Sequence, residues 1–293
     1  MGILFKENFE SGLKIGKLGD NNSRWFFFEQ PGFISQDSSA NASVKEGTLT
    51  VDIPQYTLTT TGVNDHPKFM IYCNTINNST GFPGFKAPDD GEIYYEGMAT
   101  VETYGTENNP FNACPDDFRL SSGGLISIDF DTFMVYDFLM TATKAYALYE
   151  RLPFDQKVKD RAAFFTYVIP LIEIEPGVRH HYKLSYNKSR YQIGYYIDGK
   201  RVFSIDEFGR RLARDFELYS QFKDLPGSGD PDDLPLIQSN QRIVGAGLFT
   251  MLDAGMRHEK ELANIHDPML SPSMKLFGQG GRIQLSDIVV GTA

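Results

Sequence analysis

The sequence has little of several features, and each shortage excludes a class of protein. Among 293 residues there are only two cysteines, Cys73 and Cys114, too few for a scaffold held by disulfides. We expect two buried thiols in a reducing compartment, with a single bridge as the alternative. No apolar run approaches the roughly 18 residues of a membrane-spanning helix. The sequence therefore predicts neither a disulfide-rich secreted domain nor a helical membrane protein.

Positive charge is also scarce. The 28 Lys and Arg residues are outnumbered by 38 Asp and Glu residues, so the formal net charge is -10. Because such a surface repels phosphate backbones and anionic lipid, we expect no nucleic acid and no membrane as partner. The first ten residues do not resemble a secretory signal, which combines a basic stretch with an apolar one. A cytoplasmic location follows as the expectation, and the oligomeric state is left open.

Aromatic and β-branched residues are abundant, and they occur in short runs. Phe, Tyr and Trp make up 13% of the chain, and clusters of Gly, Pro, Asn and Asp separate the runs, as is typical of a β-sandwich or barrel. We find no repeat and no linker, so we predict one all-β domain over residues 1–293. The predicted strands are 48–53, 68–73, 93–104, 125–139, 145–151, 164–169, 181–186, 192–197, 202–205, 243–251 and 282–290.

Four local signals refine this pattern. Alternating apolar residues flank Asp198-Gly199, which predicts a tight hairpin over residues 191–203 because glycine accepts a positive φ. Residues 207–222 carry apolar side chains at intervals of three or four, which predicts an amphipathic helix. Residues 224–235 then predict a loop, so that 206–240 form a helix and loop insertion. A second short helix is predicted over 257–266.

Two neighbouring segments resemble a known superfamily. The segment Gly177 to Tyr186, GVRHHYKLSY, followed by the aromatic strand and Asp198-Gly199 hairpin, is similar to concanavalin-A-like lectins and glucanases. The opening residues 5–12 with Trp25, and the closing residues 283–290, resemble that superfamily's first and last strands. The resemblance implies an antiparallel two-sheet jelly-roll sandwich, here an intracellular branch, that holds its ligand on the concave face. Its members include glycan-binding lectins, laminarinase-like hydrolases and polysaccharide lyases, so the function must be argued from the site.

Residues 125–139 carry most of the predicted chemistry. As one strand, they place the even-numbered, mostly apolar residues on one face and Ser127, Asp129, Asp131, Phe133, Val135 and Asp137 on the other. We expect the apolar face to pack between the sheets, which turns the acids toward the open face. Alternate residues lie about 6.5–7 Å apart, within or near the carboxylate separations used on glycosidic bonds.

The same segment also counts against one enzyme class. Laminarinase-like hydrolases carry a Glu-x-Asp-x-Glu-type strand, and the nearest match here is Ser127-x-Asp129-x-Asp131. The serine at the first carboxylate position disfavours a retaining glycosidase. A structural role for Asp129 and Asp131 is the alternative. If they do face the ligand, Asp129→Asn or Asp131→Asn removes activity and leaves thermal stability nearly unchanged.

Residues 145–151 supply a second candidate set. Alternation places Glu150 on one face and Tyr149 and Arg151 on the other. Glu150 and Arg151 either frame a groove or make salt bridges at its rim, and we favour the salt bridges because surface ion pairs are common. In the later strand, His180 is predicted to face the core and His181 the solvent.

The histidines lack metal-ligand spacing, and we find no Gly-x-Ser-x-Gly elbow, P-loop or dinucleotide fingerprint. We therefore predict no cofactor and no metal site, although the acidic run at 230–233 leaves calcium open. The candidate catalytic residues are Asp129, Asp131, Asp137 and Glu150. The candidate substrate-binding residues are Ser127, Phe133, Tyr136, Tyr149, Arg151 and His181.

Three functions stay open, and whether the protein is an enzyme is among the open questions. We narrowly favour cofactor-independent acid–base chemistry of the hydrolase, lyase, isomerase or cyclase kind on a small organic molecule, as in specialised metabolism. The 15 Tyr and 23 Phe residues are suited to lining an apolar pocket. The alternatives are a glycan-binding or glycan-hydrolysing protein, with a saccharide partner, and a non-catalytic binding module. An aromatic cavity with a perturbed aspartate favours the first function, and a shallow featureless face favours the last.

Overall fold

Two antiparallel sheets contain most of the regular structure of the chain. The computed structural model describes residues 2–60, 65–155, 157–158, 163–212, 218–219, 234–254, 261–264, 267 and 269–293. In chain order its strands are β1 (Gly2–Glu7), β2 (Trp25–Phe27), β3 (Glu29–Gln30), β4 (Phe33–Ile34), β5 (Asn41–Lys45), β6 (Thr48–Ile53), β7 (Pro67–Cys73), β8 (Phe85–Lys86), β9 (Glu92–Tyr104), β10 (Ser122–Asp129), β11 (Met134–Met140), β12 (Lys144–Arg151), β13 (Phe165–Glu173), β14 (His180–Asn187), β15 (Gln192–Ile197), β16 (Lys200–Ile205), β17 (Leu218–Tyr219), β18 (Gln241–Phe249) and β19 (Gly280–Thr292).

The two sheets form a sandwich. The first sheet has the order β16-β15-β14-β9-β19-β6-β5, with β1 added beside β19. The second has the order β17-β13-β12-β11-β10-β18-β7-β2, with β8 beside β18. The short helices with bounds inside the described residues are a 3-10 turn at Thr106–Asn108 and α1 at Pro272–Lys275. The predicted all-β jelly-roll sandwich with short helical additions is confirmed.

Aromatic side chains fill the space between the sheets. Trp25 is fully buried, with Phe9 stacked on it at a centroid distance of 5.9 Å. Tyr95 of β9 donates its hydroxyl proton to the Gly245 carbonyl at 2.8 Å. Tyr195 of β15 does the same to the Leu148 carbonyl at 2.7 Å. Both bonds cross from the first sheet to the backbone of the second, so they fix the two layers against each other.

The predicted hairpin near residue 198 is confirmed. Strands β15 and β16 pair with Ile197 opposite Lys200, which leaves Asp198 and Gly199 as the two turn residues. Their φ angles are 51° and 76°. A two-residue turn with positive φ at both positions matches the right-handed twist of the strands it joins.

The single strand predicted over residues 125–139 is wrong, because the chain reverses inside it. Strands β10 and β11 form a hairpin in which Leu125 lies opposite Phe138 and Ile128 opposite Val135. Opposed residues in an antiparallel pair share a face. Odd-numbered residues of β10 therefore share a face with even-numbered residues of β11. Ser127 and Asp129 lie on the inner face with Tyr136, whereas the apolar side chains of Ile126 and Ile128 lie on the outer face of the second sheet with Asp137.

The Asp129 carboxylate stabilises the turn at which the chain reverses between β10 and β11. It is fully buried, and one carboxylate oxygen accepts the Asp131 backbone N–H at 2.9 Å and the Gln241 side-chain amide. The other oxygen accepts the Thr132 hydroxyl at 3.0 Å. The signal that identifies this turn is local: an Asp whose side chain bonds the backbone two residues later is a common turn former.

The helix predicted over 207–222 is not formed where the structure describes that segment. Residues 207–212 form bends, turns and irregular chain, and Leu218–Tyr219 is strand β17. Gly209 has a φ of 101°, and its N–H is donated to the Tyr149 hydroxyl at 2.7 Å, so tertiary bonds override the helical spacing. The other residues of 213–222 lie outside the described residues, as do 224–233 of the predicted loop. Of the helix predicted over 257–266, residues 261–264 are described and are not helical.

The two cysteines occupy different environments. Cys73 is buried, whereas Cys114 is exposed, and both are free thiols. The expectation of two buried thiols is therefore wrong for Cys114, which precedes β10 in a segment of turns at the surface.

We predict that Asp129→Ala lowers the free energy of unfolding by about 3 kcal/mol, because it leaves buried donors of the turn unpaired. The matched control is Asp131→Ala, which removes a carboxylate whose partner is the exposed Lys157 and should cost under about 1 kcal/mol. Urea unfolding of both variants measures the difference. An equal or larger loss in the control variant would contradict the role assigned to Asp129.

Candidate functional site

A cleft lies on the outer face of the second sheet, on the side away from the first sheet. Its volume is about 570 Å³, and we call it the outer cleft. Strands β7, β10, β11, β12 and β18 form its floor. Most of its lining is apolar, and includes Phe26, Phe28, Met70, Ile126, Ile128, Phe130, Phe133, Val135, Leu148, Leu152, Phe154, Phe249 and Met251.

Tyr72 of β7 is the centre of an aromatic wall in the outer cleft. Its ring centroid lies 5.8 Å from that of Phe26, 6.4 Å from that of Phe28 and 5.9 Å from that of Phe130. Phe130 belongs to the turn after Asp129, so the hairpin reversal also places one ring of this wall. Such a lining binds an apolar body and excludes water from it.

Two acids enter the outer cleft from adjacent strands. Glu150 of β12 lies opposite Val135, and Asp137 of β11 lies opposite Leu148. The acids are therefore diagonal neighbours on one face, for which Cβ atoms lie about 7–8 Å apart or slightly less. Asp137 is 5% exposed and accepts the Ser127 backbone N–H at 2.7 Å. Burial raises the pKa of Asp137 well above its ordinary value, and the nearby Glu150 charge adds to the effect.

Glu150 has a proton affinity suited to neutral pH. Burial raises the pKa of its carboxyl to about 7, although the Thr166 hydroxyl and His66 act in the opposite direction. Thr166 of β13 donates its hydroxyl proton to this carboxylate. A carboxyl group that titrates near neutrality can both take and return a proton under ordinary conditions.

His66 and Asp253 form an ion pair beside the same cleft. His66, a residue of the lining, lies with Nε2 at 2.7 Å from the Asp253 carboxylate. Burial disfavours the charged imidazole, but Asp253 and, more weakly, Glu150 raise the pKa of His66 overall. These groups stand far apart in the chain, and no sequence spacing predicts that they meet.

The structure brings together only part of the predicted site. Asp137, Glu150 and Phe133 line the outer cleft. Ser127 and Tyr136 lie between the sheets with Arg242, whose guanidinium donates to the Ser127 hydroxyl at 3.1 Å and stacks over the Tyr136 ring at 4.1 Å. Asp129 is buried at the turn, and Asp131 pairs with Lys157 at the surface.

The other predicted residues lie elsewhere. Tyr149 donates its hydroxyl proton to the Arg210 carbonyl at 2.9 Å and is buried in the core. Arg151 is on that same inner side, and its guanidinium lies 3.8 Å from the Asp155 carboxylate. Glu150 lies on the opposite face of β12, where it accepts the Thr166 hydroxyl. His181 is partly exposed beside Glu96, at 3.6 Å, and His180 lies 2.7 Å from Asp198.

The described residues form neither a metal-binding cluster nor a membrane-spanning helix. Among the described residues there is no group of three or more His, Cys, Asp or Glu side chains arranged to hold a metal ion. The acidic run at 230–233 lies outside the description. No helix in the described part of the chain is long and apolar enough to cross a membrane.

Comparisons with known proteins agree with this fold. Residues 6–293 match the model of a family whose function is described as unknown. An uncharacterised protein of Acanthamoeba polyphaga mimivirus is 37% identical over 113 residues, which cover 36% of this chain and 24% of that relative. The match thus spans about a quarter of the relative's length.

Two solved structures are similar over nearly the whole chain. The laminarinase catalytic domain of Thermotoga petrophila RKU-1 has 12% identity, covers 99% of this chain and 96% of its own, and has a TM-score of 0.51. The laminarinase catalytic domain of Thermotoga maritima MSB8 has 12% identity, covers 99% and 98%, and has a TM-score of 0.50. At this identity the likeness establishes the jelly-roll fold.

The raised pKa of Glu150 predicts a pH-dependent stability. Folding favours its protonated form, so this contribution is fully present below pH 4.5 and is lost as the pH rises through about 7. Relative to Glu150→Gln, the wild-type free energy of unfolding should therefore fall by at most about 3 kcal/mol across that window. Urea unfolding at several pH values measures it. Glu175→Gln, at an exposed position, is the control, and a difference that does not change with pH would contradict the assignment.

Proposed function

The chain belongs to the family of unknown function DUF6081, and we propose that it is a cofactor-independent acid–base enzyme acting on a small, largely apolar organic molecule. The single observation that carries the proposal is the pair of carboxyl groups in an apolar cleft, those of the buried Asp137 and the half-buried Glu150. Perturbed titratable groups in a lined cavity are the usual mark of an active site.

The proposed roles follow from the surroundings of each acid. Glu150, whose pKa is about 7, exchanges a proton with the bound molecule as general acid or base. Asp137, which is more strongly desolvated, contacts the same molecule and sets which charge it carries. Aromatic and aliphatic walls hold the apolar body in place and keep water from the proton transfer. Thr166 orients the Glu150 carboxylate through its hydroxyl.

A saccharide is the second candidate ligand. The similar solved proteins are laminarinases by name, and carboxyl groups whose Cβ atoms lie about 7–8 Å apart can reach the separations of about 6.5–9.5 Å used to hydrolyse glycosidic bonds with inversion. The composition of the outer cleft disfavours a saccharide, because sugar hydroxyls require many polar partners and most side chains that line this cleft are apolar. Release of reducing ends from laminarin would favour this candidate.

We predict that the neutral apolar dye N-phenyl-naphthylamine binds in the outer cleft. Leu148→Trp should weaken binding by about tenfold or more, because the larger side chain fills space that the dye needs. Leu236→Trp makes the same change at an exposed position outside the cleft and should leave affinity unchanged. Fluorescence titration measures both. Equal binding by the two variants would remove the outer cleft as the binding site.

We predict that Glu150→Gln lowers turnover by about 10²-fold or more without loss of dye binding. A small-molecule extract incubated with either protein and compared by mass spectrometry identifies compounds that only the wild type converts. Glu175→Gln should behave as the wild type. Conversion of the same compounds by Glu150→Gln would refute the acid–base role, and binding with no conversion by the wild type would identify a non-catalytic binding module.

A further inference from the structure

The outer cleft is acidic as well as aromatic. Three carboxyl groups line it, those of Glu29, Asp137 and Glu150, whereas the described lining contains no Lys and no Arg. Its one basic residue is His66, which is paired with Asp253 at 2.7 Å. The charge that a ligand meets in this cleft is therefore negative whenever the acids are ionised.

The two deeper acids have neutral hydrogen-bond donors as their partners. Asp137 accepts one backbone N–H, from Ser127, and Glu150 accepts one hydroxyl, from Thr166. Arg242, the nearest strong cation of the second sheet, is on the inner face, where it bonds the Ser127 side chain and the Met134 carbonyl. Ionising a carboxyl group in a low-dielectric site without an opposite charge is costly. His66 is already paired with Asp253 and Arg242 bonds groups on the inner face, so a positively charged ligand adds opposite charge on the cleft side of the sheet.

The aromatic wall favours the same ligand chemistry. Rings attract a cation placed over their faces, and the attraction is strongest when water is excluded. Tyr72 with Phe26, Phe28 and Phe130 provides several such rings in the same cleft as Asp137. An apolar body would occupy the aliphatic part, next to Ile126, Ile128 and Leu148.

From this combination we propose that the outer cleft selects an organic cation, a quaternary or protonated amine carried on an apolar body. The inference rests on the proposed function, since it names the substrate class of the same cleft. It also has a consequence for protons. A cation favours the ionised acids, so binding releases protons and affinity increases as the pH rises through about 7, the pKa of Glu150.

A pair of probes with the same shape isolates the charge. The meta-hydroxyphenyltrimethylammonium ion and meta-tert-butylphenol differ in one atom, nitrogen against carbon. The quaternary ammonium cannot lose a proton, and titrations at pH 7 and below keep the phenol hydroxyl of both probes protonated. We expect the wild-type protein to bind the cation about tenfold or more tightly than the neutral isostere. Isothermal titration calorimetry in buffers of different ionisation enthalpy measures both the affinity and the protons released.

Three variants locate the effect. Asp137→Asn and Glu150→Gln keep the shape of each side chain and should each remove most of the preference for the cation. Glu175→Gln removes one carboxylate at an exposed position outside the cleft, and this variant should keep the preference for the cation. Circular dichroism confirms that each variant is folded, and the wild-type comparison of the two probes stands even if a variant is not.

The outcomes separate this inference from the proposed function. Equal or tighter binding of meta-tert-butylphenol by the wild type overturns the cation preference and leaves the outer cleft as a site for neutral apolar molecules. A cation preference that survives both deep substitutions overturns the assignment to Asp137 and Glu150. If neither probe nor the neutral dye binds, the inference and the proposed function fail together.

Discussion

The reversal of the chain after Asp129 determines which side chains reach the outer cleft. A buried carboxylate holds this turn by accepting the Asp131 N–H, the Thr132 hydroxyl and the Gln241 amide. Because the turn joins β10 and β11 with Leu125 opposite Phe138, residues of opposite parity share each face. Ile126 and Ile128 therefore lie outward beside Asp137, and Ser127 lies inward. A different loop length would exchange these two sets, since a shift by one residue moves every side chain to the other face.

The same arrangement divides the polar groups of the second sheet into an inner-face set and an outer-face set, and the two sets have different partners. On the inner face, Arg242 and Gln241 satisfy Ser127 and Asp129, and Tyr136 lies beneath the guanidinium. These groups stabilise the sandwich and are not accessible to a ligand. On the outer face, Asp137 and Glu150 have one neutral donor each, and burial raises the pKa of both. The incomplete partnering of the outer pair is what makes it suited to chemistry or to a charged ligand.

The fold is similar to that of laminarinases, and the surroundings of the acids support our proposal of a different ligand. Here the two acids come from neighbouring strands, β11 and β12, rather than from one strand. Their setting is a wall of Phe, Tyr, Ile, Leu and Met side chains, which favours an apolar molecule over a chain of hydroxyls. One fold can host different sites, and here the outer-face side chains of the cleft are separate from the core between the sheets, where Trp25 and the sheet-crossing tyrosines lie.

Alternation along the chain determined the sandwich class, most strand positions, the Asp198-Gly199 hairpin and the separation of Glu150 from Arg151, because these depend on neighbours within a few residues. It also placed Asp137 and Glu150 among the candidate acids. Tertiary structure alone decided that Asp129 faces inward, that residues 207–212 do not form a helix, and that His66 and Asp253 meet beside Glu150. The physical reason is that a local pattern specifies which residues share a face, whereas burial, partners and hence proton affinity depend on side chains brought in from distant strands.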